Sequence, residues 1–339
     1  MVTKVCVDCG VDKPVDQFYA LKSADDGLTT RCKPCYRAAR GTGTPRVTKK
    51  TDPHGNTLMT DGGYVASREL LQIWEAVVKT GSGGDHPLTL MFLGPSGCGK
   101  TVGAEYLAEL AGMSFTKVDA AAMTDPEAWF GTREVVARDG VSVTTYRPSA
   151  FVQAIAKPGV VLIDEVNRVR DEHRNILLPL LDGTHAVTNP LTGETVRKDP
   201  GCFIVMSGNR GLQFTGTYAV DPALMTRSLV VEFAYLSAAD ETRVAISRTG
   251  VDARIAAAFV RFAGETRSRA TLSPDMVPVS TREVLAASEL AAKGLDPDLA
   301  AQIAIINGAS EEGGPDSVRS ALAAIWGGIR PTVQAANLG

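Results

Sequence analysis

Residues 94–101 read Gly94-Pro95-Ser96-Gly97-Cys98-Gly99-Lys100-Thr101, three glycines running into a lysine and a hydroxyl residue. An apolar run, Leu88–Leu93, precedes them, and a helical pattern from Val102 to Ala111 follows. That context is what a phosphate-binding loop requires. Glycines let backbone N–H groups turn inward around a phosphate, and the opening turn of the helix adds its partial positive charge. Lys100 can then reach the β- and γ-phosphates of a nucleoside triphosphate, and the Thr101 hydroxyl can ligate Mg²⁺. Cys98 stands at a variable position of the loop and reads as a small filler; Val102 continues the site into the helix.

A second apolar run, Val160-Val161-Leu162-Ile163, ends in Asp164-Glu165. Carboxylates at the carboxyl end of such a strand lie where α/β sheets bind ligands. Asp164 suits Mg²⁺, and Glu165 suits polarisation of the attacking water.

The elements that must position these groups follow from five short apolar runs: Leu88–Leu93, Phe115–Val118, Val160–Ile163, Phe203–Met206 and Leu229–Phe233. Mostly continuous rather than alternating, they suit strands buried on both faces of a parallel sheet. Helical stretches at Val102–Ala111, Pro148–Ala156 and Asn175–Leu181 lie between them. The fold class is α/β, a parallel-sheet nucleotide-binding core over 64–236. Ala-rich helical patterns at 238–248, 252–268, 281–293 and 297–306 predict an all-helical lid and tail over 237–339. A helix opens the core at Leu70, Leu71, Ile73, Trp74, Val77 and Val78.

Before the core, Cys6-x₂-Cys9 and Cys32-x₂-Cys35 stand 22 residues apart within residues 1–50, which carry a net charge of +5 and leave −8 on the remainder. Paired CxxC knuckles suit a closed, structural Zn²⁺ site. Residues 1–40 are therefore expected to form a small Cys₄ zinc module, and 41–63, rich in Gly, Thr and Pro without apolar periodicity, a flexible linker. Lys22, Arg31, Lys33, Arg37 and Arg40 can contact a phosphate backbone or form a solvated face beside a protein partner. With six cysteines in 339 residues, a disulfide-dense secreted scaffold is excluded. No run is long enough to span a membrane, and the start is not a signal peptide, so a cytoplasmic protein is expected.

The glycine loop, the strand ending in Asp164-Glu165, a later strand ending in Asn209, a downstream Arg227 and the helical tail together resemble an AAA+ ATPase. More narrowly, VLIDEVNR, NILLPLLDG and MSGNRGLQFTGTYAVDPALMTRS resemble the MoxR/CbbQ/NorQ branch, including cobalt-chelatase-like ATPases, over roughly residues 65–330. The resemblance implies ATP as the nucleotide, Asn209 at the sensor-1 position, Arg227 as an arginine finger reaching the neighbouring subunit, and Arg282 as sensor 2 in cis. Arg210 is the nearby rival for the finger, and Ser228 stands where the family usually has Phe. A finger supplied in trans implies a ring, by resemblance a homo-hexamer. The resemblance also implies a helix-2 insert within 125–147, where Trp129 and Phe130 can grip substrate in a central pore or pack as core aromatics. A hairpin is expected at Asp139-Gly140, and a second over 183–200, turning near Leu191–Gly193. CVDCGVDKPVDQFY and GLTTRCKPCYRAAR resemble zinc ribbons common in bacteriophage proteins, which would place the protein in a host cytoplasm.

The leading expectation is an ATP-hydrolysing ring motor that remodels a client protein complex, with a von Willebrand A-domain protein as the implied partner. The alternative is a DNA-directed ATPase of phage replication, packaging or restriction type, guided by the ribbon. A nucleotide-dependent scaffold without turnover is the third class, disfavoured by the presence of both Lys100 and Glu165.

Overall fold

A computed structural model of the chain describes residues 3–5, 11–20, 28–32, 50–51, 57–59, 63–84, 88–125, 127–209, 220–273 and 276–334. Five strands form the central sheet: β1 (Thr89–Gly94), β2 (Phe115–Asp119), β3 (Gly159–Asp164), β4 (Cys202–Asn209) and β5 (Ser228–Glu232). All are parallel, in the order β5-β1-β4-β3-β2. β1, β3 and β4 are buried at every residue, which is why their sequences are continuous apolar runs.

The sheet's side chains alternate between two cores. Leu90, Phe92, Leu162 and Val205 face helix α1 (Arg68–Thr80) and helix α2 (Lys100–Leu110). Leu70, Trp74 and Val77 recur at helical spacing and bury the inner stripe of α1. Ser67 caps that helix by accepting the Leu70 N–H at 3.1 Å. On the opposite face, Met91, Leu93, Ile163 and Met206 pack with Trp129, Phe130, Phe151 and Leu177.

Trp129 and Phe130 are therefore core residues, both 0% exposed, and not pore-facing grips. The Trp129 ring meets Phe151 edge-on at 5.2 Å, and burial of the pair closes the sheet's second face. The hairpin that follows, Gly131–Arg138 with Val141–Pro148, turns at Asp139 and Gly140, whose φ angles are 50° and 81°. Both central residues take positive φ, as the Asp-Gly pair predicts. The second hairpin pairs Ala186–Thr188 with Thr195–Arg197. Residues 175–180 form a 3₁₀ run rather than an α-helix; in an α-helix the Pro179 ring would clash with the carbonyl four residues earlier.

The lid consists of α3 (Ala238–Thr249), α4 (Ala253–Ala270), α5 (Thr281–Ala292), α6 (Pro297–Ala304) and α7 (Val318–Gln334). Ser237, Asp252, Ser280 and Asp296 cap the first four, Ser280 in a reciprocal box with Glu283. Leu322, Ile325, Trp326 and Ile329 of α7 enter the lid core, where Trp326 stacks on Phe259 at 5.4 Å.

In the N-terminal part, Thr3–Val5 pairs with Asp12–Pro14, and Phe18–Ala20 with Leu28–Cys32. Lys50–Thr51, Thr57–Met59 and Val65–Ser67 form a three-stranded antiparallel sheet. Part of the expected linker is thus paired; strands of two or three residues are too short to leave a periodic trace. The zinc expectation falls on Cys6, Cys9 and Cys35, which lie outside the described residues, as do Lys22, Lys33, Arg37, Arg40 and Arg210. Cys32 closes its strand. Among the described residues no helix is long and apolar enough to cross a membrane.

Candidate active site

The strand order fixes the site. β1, β4 and β3 are neighbours, so the residues ending them, Gly94, Asn209 and Asp164, line up along one edge of the sheet although far apart in sequence. Gly94 lies opposite Asn209 in register, and strands are about 4.8 Å apart.

From Gly94 the chain turns through Pro95, Ser96, Gly97, Cys98 and Gly99 into α2. Gly97 and Gly99 have φ of 69° and 98°, left-handed values that glycine takes without strain. Gly97 also has no room for a side chain: a Cβ there would lie 2.7 Å from that of Ser280. Lys100 folds back beneath the loop. Its ammonium donates to the carbonyls of Gly94 at 3.0 Å and Pro95 at 2.7 Å, and to Asn209 Oδ1 at 2.9 Å. Those oxygens are neutral, and burial pulls the Lys100 pKa below its ordinary value. Burial pushes the Cys98 thiol up, consistent with a packed filler rather than a nucleophile.

The acidic tip is held from several sides. Thr101 donates its hydroxyl to Asp164 Oδ2 at 3.0 Å. Ser207 donates to Asp164 Oδ1 and accepts the Glu165 N–H at 3.1 Å. Lys117, on β2, forms an ion pair with Asp164 Oδ2 at 2.8 Å. Burial works to raise the Asp164 pKa, but hydrogen bonds from Lys117 and Ser207 outweigh it and hold the carboxyl below its usual value. The Lys117 ammonium is raised in turn, mainly by the same bond. Glu165 sits at φ 57°, its Oε2 paired with Arg168 at 2.8 Å and its Oε1 3.5 Å from Asn209 Nδ2. Asn167 fixes Asn209 by bonding both its N–H and its carbonyl, at 3.2 and 2.9 Å.

These groups line a cleft of about 1020 Å³ between core and lid. Lys100, Thr101, Val102, Asp164, Glu165, Asn209 and Arg282 occupy one part; Tyr64, Val65, Leu236, Val244 and Leu285 offer apolar surface elsewhere. A nucleotide suits both halves, phosphates at the first and base at the second. The donor set also fits Mg²⁺. Among the described residues no cluster of three or more His, Cys, Asp or Glu could hold a metal. Mg²⁺ needs no such cage: one hydroxyl and one carboxylate suffice when phosphates and water complete the shell. Thr101 and Asp164 already share an oxygen contact.

Arg227 is not in this cleft. It precedes β5, whose Ser228 pairs with Thr89, at the opposite end of β1 from the phosphate loop. Five residues of strand put it about 17 Å away along the sheet. It is 38% exposed in its side chain, and its Nε lies 3.9 Å from Asp182. Arg282 opens α5 beside the loop, within the cleft. The sequence reading did not single out Lys117, Asn167, Arg168, Ser207 or Tyr235. Asn167 and Arg168 left a signal in VLIDEVNR and Ser207 in MSGNRG, the runs that also carry Asp164, Glu165 and Asn209.

Comparison with known proteins agrees with this geometry. Residues 89–228 match the AAA domain of the dynein-related subfamily, and residues 241–326 match the CbbQ/NirQ/NorQ C-terminal domain. The chain is 26% identical over 249 residues to the denitrification regulatory protein NirQ of Pseudomonas aeruginosa, covering 74% of this chain and 91% of that one. It is 25% identical over 226 residues to the uncharacterized protein YojN of Bacillus subtilis, covering 66% and 69%. The solved structure of NtrX from Brucella abortus overlays with a TM-score of 0.44 at 19% identity, covering 78% of this chain and 56% of that one. A matched AAA domain over 89–228 is thus followed by a matched CbbQ/NirQ/NorQ-type C-terminal domain over 241–326, and these matches support an AAA+ reading of CbbQ/NirQ/NorQ type.

Proposed function

We propose that the protein hydrolyses ATP and uses the cycle to remodel a client protein complex as a ring, by resemblance a homo-hexamer. The observation that carries hydrolysis is the hydrogen-bonded run Lys100–Asn209–Glu165 beside Thr101–Asp164. It connects a phosphate-binding cation, a polar positioning group and a general base at one sheet edge. Mg²⁺, held by Thr101 and Asp164, neutralises phosphate charge when bound. Lys100 stabilises charge on the transferred phosphoryl group, Glu165 accepts the proton of the attacking water, and Asn209 orients it. Arg282 closes the site from the lid of the same chain.

Arg227 completes the site of a neighbouring chain; its distance from its own phosphate loop supports that role. Client remodelling and a von Willebrand A-domain partner belong to the same reading and rest on the resemblance, whereas a structural zinc in residues 1–40 rests on the paired CxxC spacing of Cys6, Cys9, Cys32 and Cys35. Phosphate release by the purified chain tests it. Glu165→Gln should lower kcat by about 10² or more while ATP still binds, and Lys100→Ala should weaken binding itself. Parental turnover in Glu165→Gln would refute the assignment. The Glu165→Gln chain, holding ATP, is also the bait with which a client can be captured.

A further inference from the structure

Both oxygens of Asp164 are engaged, but not alike. Oδ1 takes the Ser207 hydroxyl. Oδ2 is the oxygen that meets Thr101, so it is the one facing the metal position, and it is also the one that Lys117 grips at 2.8 Å. The two partners differ in freedom: the Asp164 side chain is 10% exposed, that of Lys117 48%. Lys117 reaches in from the edge strand β2, where its backbone pairs with Leu162, two residues short of Asp164.

We propose that Lys117 is a tethered cation that holds the metal-facing oxygen of Asp164 until Mg²⁺ arrives, so that metal entry is an exchange of one cation for another. The inference rests on the nucleotide and metal reading of Thr101 and Asp164. A carboxylate this enclosed is costly to leave bare, and an ammonium offsets that cost in the empty site. Mg²⁺ binds oxygen at about 2.0–2.1 Å and demands near-octahedral space. An ammonium on the same oxygen would stand a few ångströms from the divalent ion, and the repulsion expels it. A flexible four-carbon stem, half in solvent, lets Lys117 leave without disturbing β2. Lys117 is thus a positioning residue for Asp164 in the empty state and a competitor of the metal during loading.

The test is the affinity of Mn²⁺ for the ADP-bound full chain, read from the signal of free Mn²⁺ by electron paramagnetic resonance. Lys117→Met and Lys117→Gln remove the competitor and should tighten Mn²⁺ binding by about fivefold; Lys117→Arg keeps the charge and should stay within about twofold of the parent. ADP affinity in EDTA should not change in any of the three. Unchanged or weaker Mn²⁺ binding in both Lys117→Met and Lys117→Gln overturns the inference, as does Lys117→Arg behaving like Lys117→Met. If the parent binds no ADP even with Mn²⁺, the nucleotide reading falls and this inference with it. That outcome is distinct from ADP bound with metal affinity unmoved.

Discussion

Tyr235 donates its phenolic hydroxyl to the carbonyl of Ser96, 3.2 Å away, so a residue at the root of the lid holds the phosphate loop. Its ring carries the Arg267 guanidinium at 3.9 Å. Arg267 forks onto the buried Glu241 at 2.7 and 2.8 Å, and Glu241 accepts the Thr281 hydroxyl at 2.6 Å, one residue from Arg282. Loop and lid are therefore joined by a continuous polar path that ends beside the lid arginine. Tyr235→Phe keeps the ring and its cation contact and deletes one donor. It should weaken nucleotide binding about two- to tenfold, the equivalent of one hydrogen bond, in a titration with a fluorescent nucleotide. Equal affinities would mean that the loop is set without Tyr235.

The same hydroxyl has a pH signature. Burial pushes Tyr235 up to about 12, against the opposing pull of Arg267. A folded-state pKa above the unfolded value of about 10 stabilises the fold below pH 10. That contribution is lost as pH rises through 10 toward 12. Absorbance of phenolate, parent minus Tyr235→Phe, should therefore show one tyrosine ionising near pH 12 rather than near 10. Unfolding free energy of the parent should fall more steeply than that of the variant across the same interval.

Trp129 separates packing from gripping. With 0% exposure and a ring against Phe151, Trp129→Ala opens a cavity behind the sheet and should cost about 3–5 kcal/mol. Denaturant unfolding of the unassembled chain measures this directly. A pore residue would leave that stability intact and change only client handling.

Several parts of this molecule could be read from the residues alone because their signals are contiguous. The phosphate loop is one stretch of eight residues, 94–101, and Asp164-Glu165 ends an uninterrupted apolar run. Asp139-Gly140 dictates a tight hairpin through backbone conformation. What escaped depends on register across strands. Lys117 meets Asp164 only because β2 lies beside β3, and nothing local to Phe115–Asp119 names that partner. Trp129 and Phe130 have the same spelling whether they face a pore or a core, and the packing of Phe151 decides. Helix α7 was hidden by Gly327, Gly328 and Pro331, residues that ordinarily break helices. Burial of Ile325, Trp326 and Ile329 in the lid core outweighs that preference.

Asn209 bonds to Lys100 through one side-chain atom and reaches toward Glu165 with the other. Asn209→Ala should lower kcat about 10- to 100-fold, as expected for one lost polar contact in the transition state, with a small change in KM. Steady-state phosphate release separates the two parameters. A rise in KM at constant kcat would make Asn209 a ground-state binding group instead.

Arg227 lies at the far end of β1 from its own loop, so a single chain cannot bring it to its own nucleotide without dismantling β5. Its guanidinium is held at the surface by the Ala223 carbonyl at 3.1 Å, with Asp182 nearby. Arg227→Ala should therefore lose turnover by about 10³ or more while each chain still binds ATP. Lys100→Ala should be inactive for the opposite reason: it keeps Arg227 and damages the loop. Mixed in equal amounts, the two variants should recover part of the parental rate, because some interfaces pair the good loop of one with the good finger of the other. Recovery should depend on protein concentration, as shared sites form only on assembly. A mixture no faster than its components would assign Arg227 to a role within its own chain.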